Sequence, residues 1–289
     1  MRRVVFFFFL SIFVFAASFV FSRFCDRKLK ASAPKPLASF EPAPFVLKKH
    51  PFVIVLSARN NGAYVEKTLH SLFFQSYENY RIVYVDDASD DGSFEVARDC
   101  LYASEHLPKI EIVKNEQRLG TLANLYRAVK GCQKEEIVIP LKQEDCLAHE
   151  WVLERLNAYF ADPDLWMCLA ETIQFPSYRV IPQLKGSRRE LKPGHNLPAF
   201  YAALFQQIRE SDLAQGGAFL PSAAELAYLT PLLEMGDSHV EWISEVFSVH
   251  NQEVREKEDR EQTLQCERLI RSLEPYSPLP RLEVATWRD

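Results

Sequence analysis

Short apolar stretches alternate with segments that carry apolar residues at helical spacing through the first half of the chain. The sequence predicts helices over 63–74, 94–101, 121–130 and 152–160. It predicts strands over 52–56, 81–85, 110–113 and 137–141. Strands that alternate with helices predict an α/β fold with a mostly parallel, doubly wound sheet and flanking helices.

The pattern becomes irregular after Phe175, in a basic segment that contains several prolines. Farther on, the sequence predicts helices over 199–210 and 223–235 and a last strand over 242–249. Most residues from 252 to 262 are charged and both signs are mixed, which is typical of a solvated helix. We therefore predict a globular domain at 51–251 and a charged helical tail at 252–289.

The start of the chain has a different character. Val4 to Phe21 contain no charged residue and consist mainly of Phe and Val, over a length that can span a bilayer. We predict a single-pass membrane anchor with its flank at 1–30, followed by a proline-rich linker at 31–50. Small residues at 16–18 leave a cleaved signal peptide, and hence secretion, as the alternative. Basic residues on both sides of the apolar stretch leave its orientation open.

The composition and charge of the chain argue against some classes of function. The chain is 25% charged and 47% apolar, as in an ordinary globular protein, and its net charge of -5 gives no electrostatic case for binding nucleic acid. Its 6 cysteines include no Cys-x-x-Cys pair, which argues against a zinc site or a disulfide framework. We interpret the cysteines as core residues in a reducing compartment.

Polar side chains follow three of the predicted strands, at 57–60, 86–91 and 142–145. Ligands of such sheets bind beyond the carboxyl ends of the strands, so these loops are expected along one functional edge. Asp86 and Asp87 can accept hydrogen bonds from a nucleobase or from ribose hydroxyls. Helix capping and a polar turn explain the same two residues without a ligand.

With its surroundings, this segment resembles a known family. VIVLSARNNGAYVEKTLHSLFFQSYENYRIVYVDDASDDGS, residues 53–93, is similar to the opening of family 2 glycosyltransferases with the GT-A fold. NEQRLGTLANLYRAVKGC, residues 115–132, resembles the next family block, and the likeness continues to about Asn251 in the manner of a bacterial-type branch. The matching positions are Asn60, Ser71, Gln75, Tyr77, Asp86, Asp87, Ser89, Asp91, Gly92, Arg118, Gly120 and Asn124.

The resemblance implies transfer of a sugar from a nucleotide-sugar donor to a hydroxyl of an unknown glycan, lipid or protein acceptor. It implies a divalent metal, Mn²⁺ or Mg²⁺, on the donor diphosphate, and a carboxylate base, for which Glu225 is the candidate. A domain that uses nucleotide-sugars in a bacterium-like cell is expected to face the cytoplasm. The candidate donor contacts are Ser57, Arg59, Asn60, Asp86, Asp87, Arg118, Gly120, Asn124 and Lys142. Arg59 and Lys142 depart from the family pattern and are candidates because their charge could pair with phosphate. His195, Arg188 and Arg189 are weaker candidates for contacts to phosphate or acceptor.

The stretch LKQED, residues 141–145, occupies the place of the family's Asp-x-Asp metal loop in a degenerate form. Lys142 replaces the first Asp, while Glu144 and Asp145 keep two acidic positions as candidate metal ligands. Three interpretations stay open. Lys142 weakens cation binding, or its ammonium group neutralises the diphosphate in place of a metal. Alternatively, the domain has lost catalysis and binds a nucleotide-sugar or a protein partner.

Overall fold

The computed structural model of the chain describes residues 48–102, 109–181, 191, 196–253 and 259–284. They belong to a compact unit that extends from Leu47 to Asp289. The elements are, in chain order, β1 (Phe52–Ala58), α1 (Val65–Phe73), β2 (Tyr80–Asp86), α2 (Ser93–Tyr102), β3 (Lys109–Lys114), α3 (Thr121–Lys130), β4 (Ile137–Lys142), β5 (Asp145–Leu147), α4 (Val152–Tyr159), β6 (Met167–Phe175), β7 (Arg179–Val180), β8 (Leu197–Tyr201), α5 (Ala202–Phe205), α6 (Glu210–Leu213), β9 (Ala214–Gln215), β10 (Ala218–Phe219), α7 (Ala224–Gly236), β11 (Val240–Asn251) and α8 (Arg260–Ser272).

A central sheet has the strand order β3-β2-β1-β4-β8-β6-β11-β5, and β7 pairs with β6. The first four strands of this order are parallel. Strand β8 then runs antiparallel to both β4 and β6, whereas β11 is parallel to β6 and antiparallel to β5. The predicted α/β class is confirmed, and the sheet becomes mixed beyond β4.

The parallel half follows directly from the apolar pattern. Phe52–Leu56 are all buried, as expected for a central strand that is covered on both faces. Helix α1 buries Val65, Leu69 and Leu72 on one face, at the spacing of an amphipathic helix. The predicted strands and helices from 52 to 160 are therefore confirmed.

The prediction of a helix over 199–210 is wrong except for the short helix α5, Ala202–Phe205. Leu197–Tyr201 form strand β8 between β4 and β6, and residues 206–209 lie outside any helix. All five residues of β8 are buried, and a short apolar run that is buried on every side has no periodicity to separate strand from helix. The same ambiguity explains why β6, whose first four residues are buried, was not predicted. The predicted last strand is confirmed as β11 and is longer at both ends.

The charged tail forms helix α8, which begins later than the charge pattern indicates. The Asp259 carboxylate accepts hydrogen bonds from the backbone N–H groups of Glu261 (2.9 Å) and Gln262 (3.4 Å), which caps the helix at its start. Cys266 and Ile270 are buried in the core, so one face of α8 packs on the domain.

The predicted membrane anchor and nearly all of the predicted linker, residues 1–47, lie outside the described residues. Among the helices that are described, none combines the length and the apolar character needed to cross a bilayer. The five cysteines in the described ranges are free thiols, and four of them are buried.

Candidate active site

The carboxyl ends of the parallel strands meet at one edge of the sheet. Strand register places Ser57 beside Lys142 and Ala58 beside Asp86. The three loops that were predicted from the sequence as a functional edge therefore lie next to one another. Their side chains form a polar surface above a core that is otherwise apolar.

Two candidate residues at this edge bind each other. The Nζ atom of Lys142, at the end of β4, lies 3.0 Å from the Oε1 atom of Glu225, in the first turn of α7. Burial lowers the pKa of Lys142, but the negative charges of Glu225 and Asp145 outweigh burial and raise the pKa, so the ammonium group stays charged. Burial raises the pKa of Glu225, and Lys142 opposes that rise. The candidate base is thus paired with the lysine of the predicted metal loop.

A second cluster lies beside this ion pair. One ligand atom from each of Glu144, Asp145 and His250 falls within 4.8 Å of the others. Antiparallel pairing of β5 with β11 places Asp145 opposite His250, and their Oδ1 and Nδ1 atoms lie 2.7 Å apart. Burial, and then the charge of Asp145, raise the pKa of Glu144 to about 7. The cluster therefore places two carboxylates and one imidazole close enough together to share a cation.

The donor set of this cluster fits a particular kind of cation. Two carboxylate oxygens and one imidazole nitrogen suit Mn²⁺ and related transition metals, whereas Mg²⁺ prefers an all-oxygen shell with several waters. Two carboxylates close together, one of them buried, favour a divalent cation over a monovalent one, because more negative charge is neutralised.

Asp87 holds the loop that follows β3. Its carboxylate accepts hydrogen bonds from the backbone N–H groups of Leu119 (2.8 Å) and Gly120 (2.9 Å) and from Asn115 Nδ2 (2.9 Å). Burial acts to raise the pKa of Asp87, but these donors together outweigh burial and hold the pKa below its ordinary value. Gly120 has φ +89°, a conformation that favours glycine. Asp87, a predicted donor contact, thus shapes the edge through contacts within the protein.

Asn124 connects two of the edge loops. Its Nδ2 donates to Ser57 Oγ (2.9 Å), and its Oδ1 accepts from Asn115 Nδ2 (2.9 Å). The structure therefore brings together four of the predicted donor contacts in one network: Ser57, Asp87, Gly120 and Asn124.

Asp86 and Arg59 each keep a buried polar atom that has no hydrogen-bond partner among the described residues. In Asp86, Oδ2 accepts from Ser89 N (3.0 Å), whereas Oδ1 is unsatisfied. In Arg59, the backbone N–H donates to Gln143 Oε1 (2.6 Å), whereas Nε is unsatisfied. Because such atoms are costly to bury, they mark the base of these loops as a place where a polar partner is missing.

The remaining candidates are more dispersed. Asn60 has φ +52° and exchanges hydrogen bonds with Asp90 at 2.9 and 3.1 Å, so it closes its own loop onto the Asp-rich loop. Arg118 is exposed next to Leu119. His195, Arg188 and Arg189 lie outside the described residues.

Comparison with known proteins decides the family. The sequence profile of Glycosyl transferase family 2 matches residues 53–210, which is more than half of the chain. The chain belongs to this family. A search of curated protein sequences finds no match.

Solved structures show the same fold. S. aureus TarS 1-349 is 16% identical with a TM-score of 0.56, over 70% of this chain and 60% of that one. The mannosyltransferase PcManGT from Pyrobaculum calidifontis, in complex with GDP-Man and Mn²⁺, is 18% identical with a TM-score of 0.57, over 91% and 74%. GalNAc-T7 with UDP, GalNAc and Mn²⁺ is 15% identical with a TM-score of 0.53, over 72% and 44%. The predicted GT-A fold is confirmed.

Three residues that carry the family resemblance have structural contacts in this chain. Ser71 Oγ accepts from the backbone N–H of Leu147 (3.1 Å), and Gln75 Nε2 donates to the backbone carbonyl of His149 (2.9 Å). The Tyr77 hydroxyl donates to the backbone carbonyl of His50 (2.8 Å). Ser71, in α1, binds to β5, and Gln75, just after α1, binds to the loop that follows β5. Strand β5 carries Asp145. They contribute to the site by positioning its strand.

Sequence reasoning missed two residues of the edge, His250 and Gln143. His250 is the last residue but one of β11 and is followed by Asn251, which was the local signal for a polar role. Its proximity to Asp145 depends on the pairing of strands 105 positions apart. Gln143 lies between the two candidate clusters and contacts Arg59 through its side chain.

Replacing Asp87 with asparagine is expected to lower the free energy of unfolding by about 2–3 kcal/mol at neutral pH, because one oxygen becomes an NH₂ group facing N–H donors. The folded-state pKa of Asp87 lies below its ordinary 3.8, so its contribution is fully present above that value and is lost as the pH falls through the folded-state pKa. Urea denaturation should show a constant difference above about pH 5 that narrows below about pH 4. An unchanged stability at neutral pH would contradict the three-donor arrangement.

Proposed function

We propose that this family 2 glycosyltransferase transfers a sugar from a nucleotide-sugar donor to a hydroxyl of a glycan, lipid or protein acceptor. In this proposal the N-terminal apolar segment anchors the chain and the domain faces the cytoplasm. The observation that carries the proposal is the convergence of Lys142, Glu144, Asp145, Glu225 and His250 at the carboxyl edge of the sheet. Similar folds that bind UDP-GlcNAc in TarS, and GDP-Man with Mn²⁺ in PcManGT, support it.

The leaving nucleoside diphosphate gains negative charge as the sugar departs, and the site offers two ways to offset it. Glu144, Asp145 and His250 would hold a divalent cation, which neutralises charge on the diphosphate when it is bound. Lys142 supplies a second positive charge from the same loop. Glu225 orients that ammonium group before the donor arrives, because the ion pair restricts the long lysine side chain.

Glu225 is the proposed base that accepts the proton of the acceptor hydroxyl. Burial raises its pKa, which makes the carboxylate a stronger proton acceptor, while Lys142 acts in the opposite direction. When the Lys142 ammonium turns toward the diphosphate, its effect on Glu225 weakens. Donor binding would thereby increase the basicity of Glu225 at the stage when a proton acceptor is needed.

Donor binding tests this assignment. The full chain is titrated calorimetrically with UDP, GDP and their sugar conjugates, with and without Mn²⁺. We expect binding that Mn²⁺ strengthens, and we expect Lys142→Asp to increase the Mn²⁺-dependent part about tenfold, because an anion replaces a cation beside the cluster.

Lys134→Asp, an exposed charge reversal remote from the edge, is the matched control and should leave donor binding unchanged. Failure to bind any of these nucleotides would rule out the proposed function. If Mn²⁺ changes donor affinity neither in the native chain nor in Lys142→Asp, the protein side chains alone neutralise the diphosphate.

A second candidate is a domain that binds a nucleotide-sugar without catalysis. The Lys142–Glu225 ion pair favours it, because the two groups satisfy each other within the protein. The candidates differ in turnover: a competent site hydrolyses its bound donor slowly when no acceptor is present, whereas a binding module does not. Donor binding without any release of nucleoside diphosphate would favour the binding module.

A further inference from the structure

The outer side of α1 belongs to a surface that is unusually rich in exposed aromatic residues. We call it the aromatic face and define it by His70, Phe74, Trp151, Phe175, Tyr178 and Val180. Among the described residues six large apolar side chains are exposed, and four of them are on this face: Phe74 (70%), Tyr178 (67%), Trp151 (50%) and Val180 (48%). Single exposed apolar residues are normal, but their concentration on one surface marks an interaction site.

Ring and cation contacts connect several residues of this surface. The Lys67 ammonium group lies 5.1 Å from the centre of the Phe175 ring, whose centre lies 5.8 Å from that of Tyr178. Lys67, His70 and Phe74 follow one another on the exposed side of α1, and the His70 and Phe74 ring centres are 5.8 Å apart.

Trp151 joins the same surface from α4. Backbone hydrogen bonding of Ser76 N to the carbonyl of Glu150 (2.8 Å) places the segment after Phe74 against the segment before Trp151. The face thus extends from the β6–β7 hairpin, across α1, to the start of α4.

We propose that the aromatic face lies on the surface of a lipid bilayer. Trp, Tyr and Phe side chains concentrate at the boundary between headgroups and acyl chains, where an apolar ring with a polar edge is favoured. A lysine among them can bury its methylene groups and extend its ammonium group toward the headgroups. Glu66 and Glu150 are exposed close by, so the surface has no net positive charge and its binding would be mainly apolar.

The course of the chain identifies the bilayer as the occupant. The described residues begin at Lys48. The next residues are held by the segment after α1, where Asn79 Nδ2 donates to the Lys49 carbonyl (2.8 Å), and by α4, where Asn157 Oδ1 accepts from His50 N (2.9 Å). Residues 22–47 separate this point from the uncharged stretch Val4 to Phe21, and a chain of that length can reach across tens of ångströms. The inference therefore rests on the proposed membrane anchor, which would keep the aromatic face within reach of lipid.

Fluorescence of Trp151 tests the proposal. The full chain is reconstituted into phosphatidylcholine vesicles whose lipids carry bromine near the headgroup end of the acyl chains. The signal of Trp151 is taken as the difference between the native chain and Trp151→Phe. We expect bromine to remove about half of this signal, with little dependence on salt, because the indole lies at the interface.

The double variant Phe74→Ser, Tyr178→Ser should abolish most of the quenching and leave donor binding unchanged. Tyr102→Ser, Leu264→Ser removes the two exposed apolar residues that lie elsewhere and is the matched control, with quenching retained.

The experiment distinguishes failure of the proposed membrane anchor from failure of the proposed contact between the aromatic face and the bilayer. Chains that fail to float with the vesicles would overturn both proposals. Chains that float while Trp151 stays unquenched would overturn only the bilayer contact. If the Phe74→Ser, Tyr178→Ser variant sediments in detergent as a smaller species than the native chain, the face belongs to a second copy and the bilayer contact is overturned.

Discussion

Replacing Lys142 with methionine is expected to lower the free energy of unfolding by about 2–3 kcal/mol. The substitution removes the cation from Glu225 and leaves a carboxylate that is 18% exposed without its partner at 3.0 Å. The expected loss is below that of a fully buried pair, because water reaches part of both side chains. Urea denaturation at neutral pH measures it.

Two further variants show whether the loss comes from the pair. Removing both charges, with Lys142→Met and Glu225→Leu together, should recover most of the stability, since Glu225 is then no longer left as an unpaired carboxylate. Lys49→Met removes a cation from a pair whose side chains are 60% and 85% exposed, and it should cost less than about 1 kcal/mol. If Lys142→Met and Lys49→Met have equal effects, the Lys142–Glu225 pair does not stabilise the domain.

Replacing Asp145 with asparagine is expected to weaken Mn²⁺ binding about 100-fold. The change removes one negative charge from the Glu144–Asp145–His250 cluster and replaces an anionic partner of His250 with a neutral one. Electron paramagnetic resonance of free Mn²⁺ during titration measures the affinity without any need for turnover.

The matched control for Asp145→Asn is Asp99→Asn, an exposed carboxylate on α2 beside Arg98. It should leave Mn²⁺ affinity unchanged. Equal Mn²⁺ affinity in the native chain and in Asp145→Asn would place any bound cation outside this cluster.

Glu225 changes how the positive charge of Lys142 affects a cation bound nearby. One interpretation of the sequence is that the positive charge of Lys142 weakens cation binding. In the structure Glu225 lies 3.0 Å from that lysine, so much of its charge is already balanced within the protein. We therefore expect a divalent cation at the neighbouring cluster to be compatible with Lys142, and we expect Glu225→Gln to weaken Mn²⁺ binding even though Glu225 is not among the three clustered ligands.

Local sequence was sufficient for the parallel half of the domain. Strand β1 contains the unbroken apolar run Phe52–Leu56, and α1 and α3 place apolar residues on one helical face, so each element can be identified without its neighbours. The Asp86–Asp87 pair follows its strand directly, and the order of strands and helices predicts that its loop lies on the same edge as Lys142.

The sequence by itself therefore determined the fold class, the family and the edge of the sheet at which the polar residues lie. Only the tertiary structure decided that Leu197–Tyr201 form a strand, because β4 and β6 supply its hydrogen-bonding partners. It also decided that Glu225 faces Lys142 and that His250 faces Asp145, 105 positions earlier in the chain. The periodicity of apolar residues shows which side of a helix or strand is buried. The contacts between distant residues depend instead on which elements pack together, and that packing is decided by the free energy of the whole domain.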